Sequence, residues 1–316
     1  MTSTAYHSID KNIIQKETAF EFDIYTLLSK KEVQLFKEKN SIVTDDDENK
    51  LHNIRGLYVM ECDYTNYKNY YQTIFLPLEE QRKVAIHKIK FNEQAAIMYQ
   101  NASKVLQELF ENPETLGHYE ASKEVVNNLV GTILDDNFAI QSLIAIANHD
   151  YYTHTHSINV AVYSLALGSF IGLKESELSK LGEAALLHDL GKSQVDADII
   201  NKNGKLSDKE FEEMKQHPNR GYKIALKLGI KDRYILSGIR HHHEKMDGTG
   251  YPMNLKGESV PRFARIIGLC DIFDALTTKR SYKDAMSTFD ALKLIRSEMK
   301  NHVDLELLDQ LIAMFK

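Results

Sequence analysis

Leu186-Leu187-His188-Asp189-Leu190-Gly191-Lys192 is the stretch on which the reading of this chain turns. Apolar residues at 178, 181, 184, 185 and 187 recur at helical spacing. The segment from Glu175 therefore reads as a helix with one face turned to a core. Its last turn delivers an imidazole and a carboxylate side by side, and Gly191 suits the left-handed position beyond a helix end. A carboxylate among leucines is costly to bury unless it is paired or holds a cation. Alone, the dipeptide is as well explained by an ordinary helix end, so its weight depends on what other segments bring to it.

Upstream, Tyr152–Ile171 is apolar almost all round after His156, which marks a buried helix with a histidine at its head. Downstream, Ser207-Asp208-Lys209-Glu210 is a capping box, and the spacing predicts a helix running to His217, where Pro218 stops it. Residues 232–244 form another helix, ending in His241-His242-His243-Glu244. Successive helical residues diverge by about 100°, so three adjacent imidazoles cannot face one point, though two can where the helix loosens. Asp247-Gly248-Thr249-Gly250-Tyr251-Pro252 is a loop that holds a tyrosine beside this cluster. Arg262–Leu276 is strongly apolar but interrupted by Asp271 and Asp274, three apart and so on one face. Helices over 288–300 and 304–315 complete the C-terminal part.

The chain has thirteen histidines, and seven lie between positions 154 and 243. Several helices thus each bring a histidine or aspartate to an end or a buried face. Imidazole with carboxylate suits iron, manganese or zinc, and the lack of a thiolate cluster disfavours a structural zinc site. There are more candidate ligands than one ion needs, which points to two divalent metal ions, iron or manganese.

The 316 residues and 43% apolar content suffice for one large or two smaller cores. A net charge of −6 argues against a binder of nucleic-acid polymers. Cys62 and Cys270 are far apart, which gives no disulfide framework and indicates a reducing compartment. Neither a signal-peptide pattern nor an apolar run of roughly 18 residues is seen, so a cytoplasmic protein with no membrane association is expected.

The N-terminal third differs in character. Residues 1–19 are polar and read as irregular and mobile. Phe20–Tyr25, Glu32–Phe36 and Gly56–Met60 read as strands, with a turn at Ser29-Lys30-Lys31 and a helix starting at Thr44 ahead of Asp45-Asp46-Asp47. Tyr64, Tyr67, Tyr70 and Tyr71 have helical spacing and read as a packed face. Helices follow over 79–111, 120–134 and 137–148. The expected organisation is a small α+β regulatory or dimerisation module over 1–78, connecting helices over 79–136 and an all-helical domain over 137–316, mainly α in fold class.

His156-Ser157, His188-Asp189-Leu190-Gly191-Lys192, His217-Pro218 with Gly221, His242-His243-Glu244, Asp247–Pro252 and Asp271-Ile272-Phe273-Asp274-Ala275-Leu276, in this order, closely resemble the HD-GYP family, a branch of the HD-domain metal-dependent phosphohydrolases. The resemblance covers about residues 137–300. It implies an HD-type helical domain and hydrolysis of cyclic di-GMP, or a related 3′,3′ cyclic dinucleotide, by a metal-bridged hydroxide. It implies that His156, His188, Asp189 and Asp271 hold one metal, and that Asp189, His217, His242 and His243 hold the other. Asp189 and Lys192 would be catalytic, Lys192 lying near the scissile phosphate, and Tyr251, Arg280 and Lys283 would touch the ligand. Members with a third metal carry a glutamate where this chain has Tyr152, so two metals are expected. Ser281 stands where proline is usual, and Val303-Asp304-Leu305 replaces Phe-Asp-Pro. A cyclic-dinucleotide receptor of weak catalysis, signalling to a partner protein, is the alternative, and a homodimer is a further expected partner.

Overall fold

The computed structural model describes residues 6–15, 18–29, 32–51, 54, 56–74, 78–135, 144, 153–202, 204–278 and 285–315. The chain divides into two compact units, Met1–His87 and Lys88–Lys316.

In the first unit, β1 (Tyr6–Ile9), β2 (Ile24–Ser29), β3 (Glu32–Lys37) and β4 (Leu57–Met60) form an antiparallel sheet in the order β1-β4-β2-β3. α1 (Asp45–Leu51) and α2 (Tyr64–Ile74) accompany it. Ile24, Leu57 and Val59 are buried with Ile9, Ile13, Ile14, Phe20, Phe22, Val43 and Tyr67. Two expectations need correction. Residues 1–19 are not wholly irregular, because Tyr6–Ile9 pairs with Met60–Leu57 along a short edge strand. Four residues carry too little alternation to announce a strand. Phe20 and Phe22 are buried as their alternation required, yet the ladder begins only at Ile24. Alternation there reported burial, not strand pairing. The tyrosines do pack: Tyr70 lies against Phe20 and Phe22, and Tyr67 against Phe22.

α3 (Leu78–Glu111) leads into the second unit, followed by α4 (Leu116–Asp135), α5 (Thr153–Phe170), α6 (Glu175–Leu187), a 3₁₀ turn (Leu190–Gln194), α7 (Ala197–Ile200), α8 (Asp208–Met214), α9 (His217–Lys227), α10 (Arg233–His241), α11 (Arg262–Thr277), α12 (Thr288–Glu298) and α13 (Leu305–Met314). The architecture is mainly α. Residues expected as connectors put Ala102, Leu106, Leu109, Val126, Leu129 and Ile133 into the core of this unit. The helix expected over 137–148 lies outside the described residues, apart from Ile144, which is helical.

Two local expectations also fail for stereochemical reasons. Pro218 does not end a helix. α8 stops at Met214, and His217 opens α9 with the proline in its first turn, where the missing N–H would have had no partner anyway. Gly191 does not adopt a positive φ. A Cβ there would lie 1.9 Å from the His217 carbonyl oxygen and 2.4 Å from the Gly221 nitrogen. The glycine is required because two backbones touch, and that contact sets His217 beside Asp189.

Gly191→Ala is therefore expected to push the 3₁₀ turn off α9 and to cost about 1–3 kcal/mol or more. Urea unfolding should show a lower midpoint with an unchanged slope, whereas Gly172→Ala, with nothing within 4 Å of the added carbon, should incur only the strain of its positive φ.

Candidate metal centre

Helix ends supply most of the centre. His156 lies in the first turn of α5, His188 caps the C-terminus of α6 with Asp189 next, His217 opens α9, and His242 caps α10 with His243 next. Asp271 projects from the middle of α11. At a helix end a side chain points into the space between elements, so several helices can converge without interdigitating. His156, His188, Asp189, His217 and His242 are all buried.

Asp189 stands at the meeting point. Its Oδ1 is 3.2 Å from His217 Nε2 and 4.0 Å from His242 Nε2. Its Oδ2 is 3.5 Å from His188 Nε2, 3.7 Å from His156 Nε2 and 2.5 Å from Lys192 Nζ. Asp271 Oδ1 lies 3.1 Å from His156 Nε2, and its Oδ2 lies 3.7 Å from His243 Nδ1. Two sets could each hold an ion: Asp189, His217, His242 and His243, and His156, His188 and Asp189, with ligand atoms in each set within 4.8 Å of one another. Asp271 adjoins the second set through His156. His241 is not brought in; its Nδ1 lies 3.7 Å from the Glu244 carboxylate.

The imidazoles are oriented from behind. His188 Nδ1 donates to Ala185 O at 2.7 Å, His217 Nδ1 to Met214 O at 2.7 Å, and His242 Nδ1 to Ile239 O at 2.8 Å. In each case the acceptor is the carbonyl three residues earlier. A carbonyl only accepts, so the proton sits on Nδ1 and the Nε2 lone pair faces inward.

The donor set fits a metal. Lone pairs of several Nε2 atoms converge on carboxylate oxygens, which are acceptors too. Among the described residues, His188 Nε2 and Asp189 Oδ1 are buried without a hydrogen bond. Acceptors facing acceptors in a dry site are unfavourable until a cation joins them. The His/Asp cluster fits a metal site in its chemistry.

Its electrostatics agree. Burial alone would raise Asp189, but the Lys192 ammonium and the His188 and His217 rings hold it well below the usual carboxylate range. Asp271 behaves alike: burial raises it, and His156, His243 and His188 pull it down further. Burial lowers His217 against the pull of Asp189. Burial and then the neighbouring imidazoles lower His242, and burial takes His243 to about 3. Near neutral pH the carboxylates are ionised and these three imidazoles are neutral, the forms a metal takes.

The loop after α10 is tied to the ligands. Tyr251 N donates to His243 O at 3.2 Å. The Glu244 carboxylate accepts from Met253 N at 2.6 Å and Leu255 N at 2.9 Å. A Cβ on Gly250 would lie 2.4–2.5 Å from three backbone atoms of residues 243–245. The Tyr251 ring sits 4.8 Å from that of His243, and burial, then Asp271 and Asp189, push its hydroxyl pKa upward. Tyr152, Arg280 and Lys283 lie outside the described residues.

Two buried acids had no role assigned from sequence. Glu244 secures the loop, and Asp274, 0% exposed, receives His156 Nδ1. For Asp274 the signal was its three-residue spacing from Asp271 in an apolar helix; for Glu244 it was its place directly after the histidines.

The HD domain family model matches residues 139–307. A cyclic di-GMP phosphodiesterase of Pseudomonas aeruginosa is 34% identical over 183 residues, 58% of this chain and 44% of that protein. A 3′,3′-cGAMP-specific phosphodiesterase of Vibrio cholerae is 33% identical over 194 residues, 61% of this chain and 35% of that protein. The chain thus spans less than half the length of these relatives. In fold it is similar to an HD-GYP-type protein of Bdellovibrio bacteriovorus, with a TM-score of 0.63, 20% identity, and 98% and 99% of the two chains covered. The resemblance seen in the motifs and the match of the family model to more than half of the sequence agree: the chain belongs to the HD domain family.

Proposed function

We propose that this chain is a di-metal phosphodiesterase that hydrolyses cyclic di-GMP or a related 3′,3′ cyclic dinucleotide. The observation that carries this reading is Asp189, a buried carboxylate whose two oxygens face two different sets of histidines. The names of the relatives, cyclic di-GMP and 3′,3′-cGAMP phosphodiesterases, support the substrate class. His156, His188, Asp189 and Asp271 would hold one ion, and Asp189, His217, His242 and His243 the other, with iron or manganese as the metal suited to imidazole and carboxylate. Two such ions, when bound, supply an activated water at neutral pH and Lewis acidity toward the phosphoryl oxygens.

The chain's own residues do the rest. The histidines present Nε2 because the carbonyls behind them retain the Nδ1 proton. Lys192, on the 3₁₀ turn beside Asp189, is the cation placed to meet charge on a phosphoryl oxygen. Tyr251 offers a ring edge and hydroxyl beside the ligands, and Arg280 and Lys283 would answer the second phosphate. Residues 1–78 are assigned regulation or dimerisation, and residues 137–316 the chemistry, joined by the helices over 79–136.

Protein purified anaerobically with iron or manganese should convert cyclic di-GMP or cyclic GMP-AMP to a linear product on chromatography; tight binding without turnover would favour the receptor instead. Asp189→Ala should lose both ions by metal analysis, since one carboxylate serves two sites. Lys192→Ala should retain both and lose about 10²–10³ in kcat. The metal-free protein should also weaken in acid. His217, His242 and His243 are held below the ordinary value of 6.5, so the unfolded chain takes up protons that the folded chain refuses. The stability this provides is full above pH 6.5 and declines as pH falls below it, down to about 3 where His243 itself protonates. The urea midpoint at pH 5 should lie below that at pH 7.5, and a rise instead would contradict the buried neutral imidazoles.

A further inference from the structure

His156 is oriented differently from the other histidines. It lies in the first turn of α5. Its Nδ1 instead lies 2.6 Å from Asp274 Oδ2. The other oxygen of that carboxylate is held from two sides, by Asn159 Nδ2 at 2.9 Å and Thr278 Oγ1 at 2.8 Å. Asn159 is fixed in turn: its Oδ1 accepts the Tyr99 hydroxyl at 2.6 Å, which leaves its amide nitrogen to face Asp274. Asp274 and Asn159 are fully buried, so the network is dry and its directions are set by chemistry, from Tyr99 on α3 to His156 on α5.

We infer that Asp274 is a positioning residue for the first metal. An ionised carboxylate can only accept, so it retains the proton on His156 Nδ1 and turns the Nε2 lone pair toward Asp189 and Asp271. The inference rests on the two-metal reading above and adds to it a residue that touches neither substrate nor metal. It also explains the pairing of the aspartates on α11. Asp271 faces the cluster, and Asp274, one turn on, stands behind the imidazole.

The geometry specifies what asparagine would do at this position. Asn159 and Thr278 both donate to one oxygen, so Asp274→Asn keeps its carbonyl there and turns its NH₂ against His156 Nδ1. That forces the proton onto Nε2, the nitrogen needed as a ligand. The test titrates chelator-stripped full-length protein with Mn²⁺, counting ions by electron paramagnetic resonance, and records ¹⁵N-histidine spectra of the metal-free form with His156→Ala as the assignment control. Wild type should bind two ions and show His156 protonated on Nδ1. Asp274→Asn should keep one ion at wild-type affinity, bind the other about 10–100-fold more weakly, and show His156 protonated on Nε2. Thr278→Val, which removes a donor from the same buried group but leaves the carboxylate, should bind both ions. Wild-type affinities in Asp274→Asn with an unchanged His156 signal would overturn the assignment and leave the two-metal reading standing. Equal weakening of both ions with a lowered melting temperature would overturn it too, as general loosening. A wild type that binds no ion at His156 would sink the two-metal reading and this role together.

Discussion

A carboxylate with almost no access to water governs this molecule. Asp189 sits just past the end of an amphipathic helix, beside its buried leucines, and its burial is unfavourable unless positive charge comes to it. In the protein alone that charge is Lys192 Nζ, 2.5 Å from one oxygen. The remaining directions are filled by the nitrogens of four histidines from four different helices. Each of those helices must end, or begin, at the place where its histidine can reach the same point. Much of the second unit follows from that requirement, down to the glycine that lets the 3₁₀ turn touch the head of α9.

The histidines are prepared by their own backbone. Three of them spend the Nδ1 proton on the carbonyl three residues earlier, an arrangement local to one turn and independent of the rest of the fold. His156 is oriented instead by a carboxylate 118 residues away. The centre therefore combines histidines oriented by a carbonyl close by in sequence with one oriented only when α5 and α11 have packed.

Much of this was legible in the residues. The apolar face of α6 and the almost all-round apolar character of α5 and α11 are legible because burial is what hydrophobic pattern reports. The angular divergence of adjacent helical residues said that only two of His241, His242 and His243 could share a point, and the resemblance pointed to His242 and His243. Elsewhere the pattern gave the wrong detail for a physical reason. Proline at 218 is compatible with stopping one helix or starting the next, and only the packing of His217 against Asp189 decides between them. Gly191 could mean a left-handed turn or a close contact, and its sequence neighbours are the same in both cases. In the first unit Phe20 and Phe22 alternate like a strand because both are buried, while the backbone hydrogen bonds that define a strand start later. Tyr99, Asn159 and Asp274 are 60 and 115 residues apart, and no local pattern joins them.

The loop at residues 247–255 is secured to the cluster through main chain, by a backbone bond to His243, a glycine pressed on the backbone of residues 243–245, and two amides on Glu244, and within itself by the Asp247 and Asn254 side chains. Its path is thus insulated from the identity of those side chains that take no part in these bonds. Met253 and Leu255 meet Glu244 through their backbone nitrogens, so their side chains can be exchanged while the frame that carries Tyr251 stays put; Asn254, at a φ of 54° and bonded to Gly250 O, cannot. At Met253 and Leu255 the loop offers side chains that can change without disturbing the histidine and carboxylate cluster beneath it.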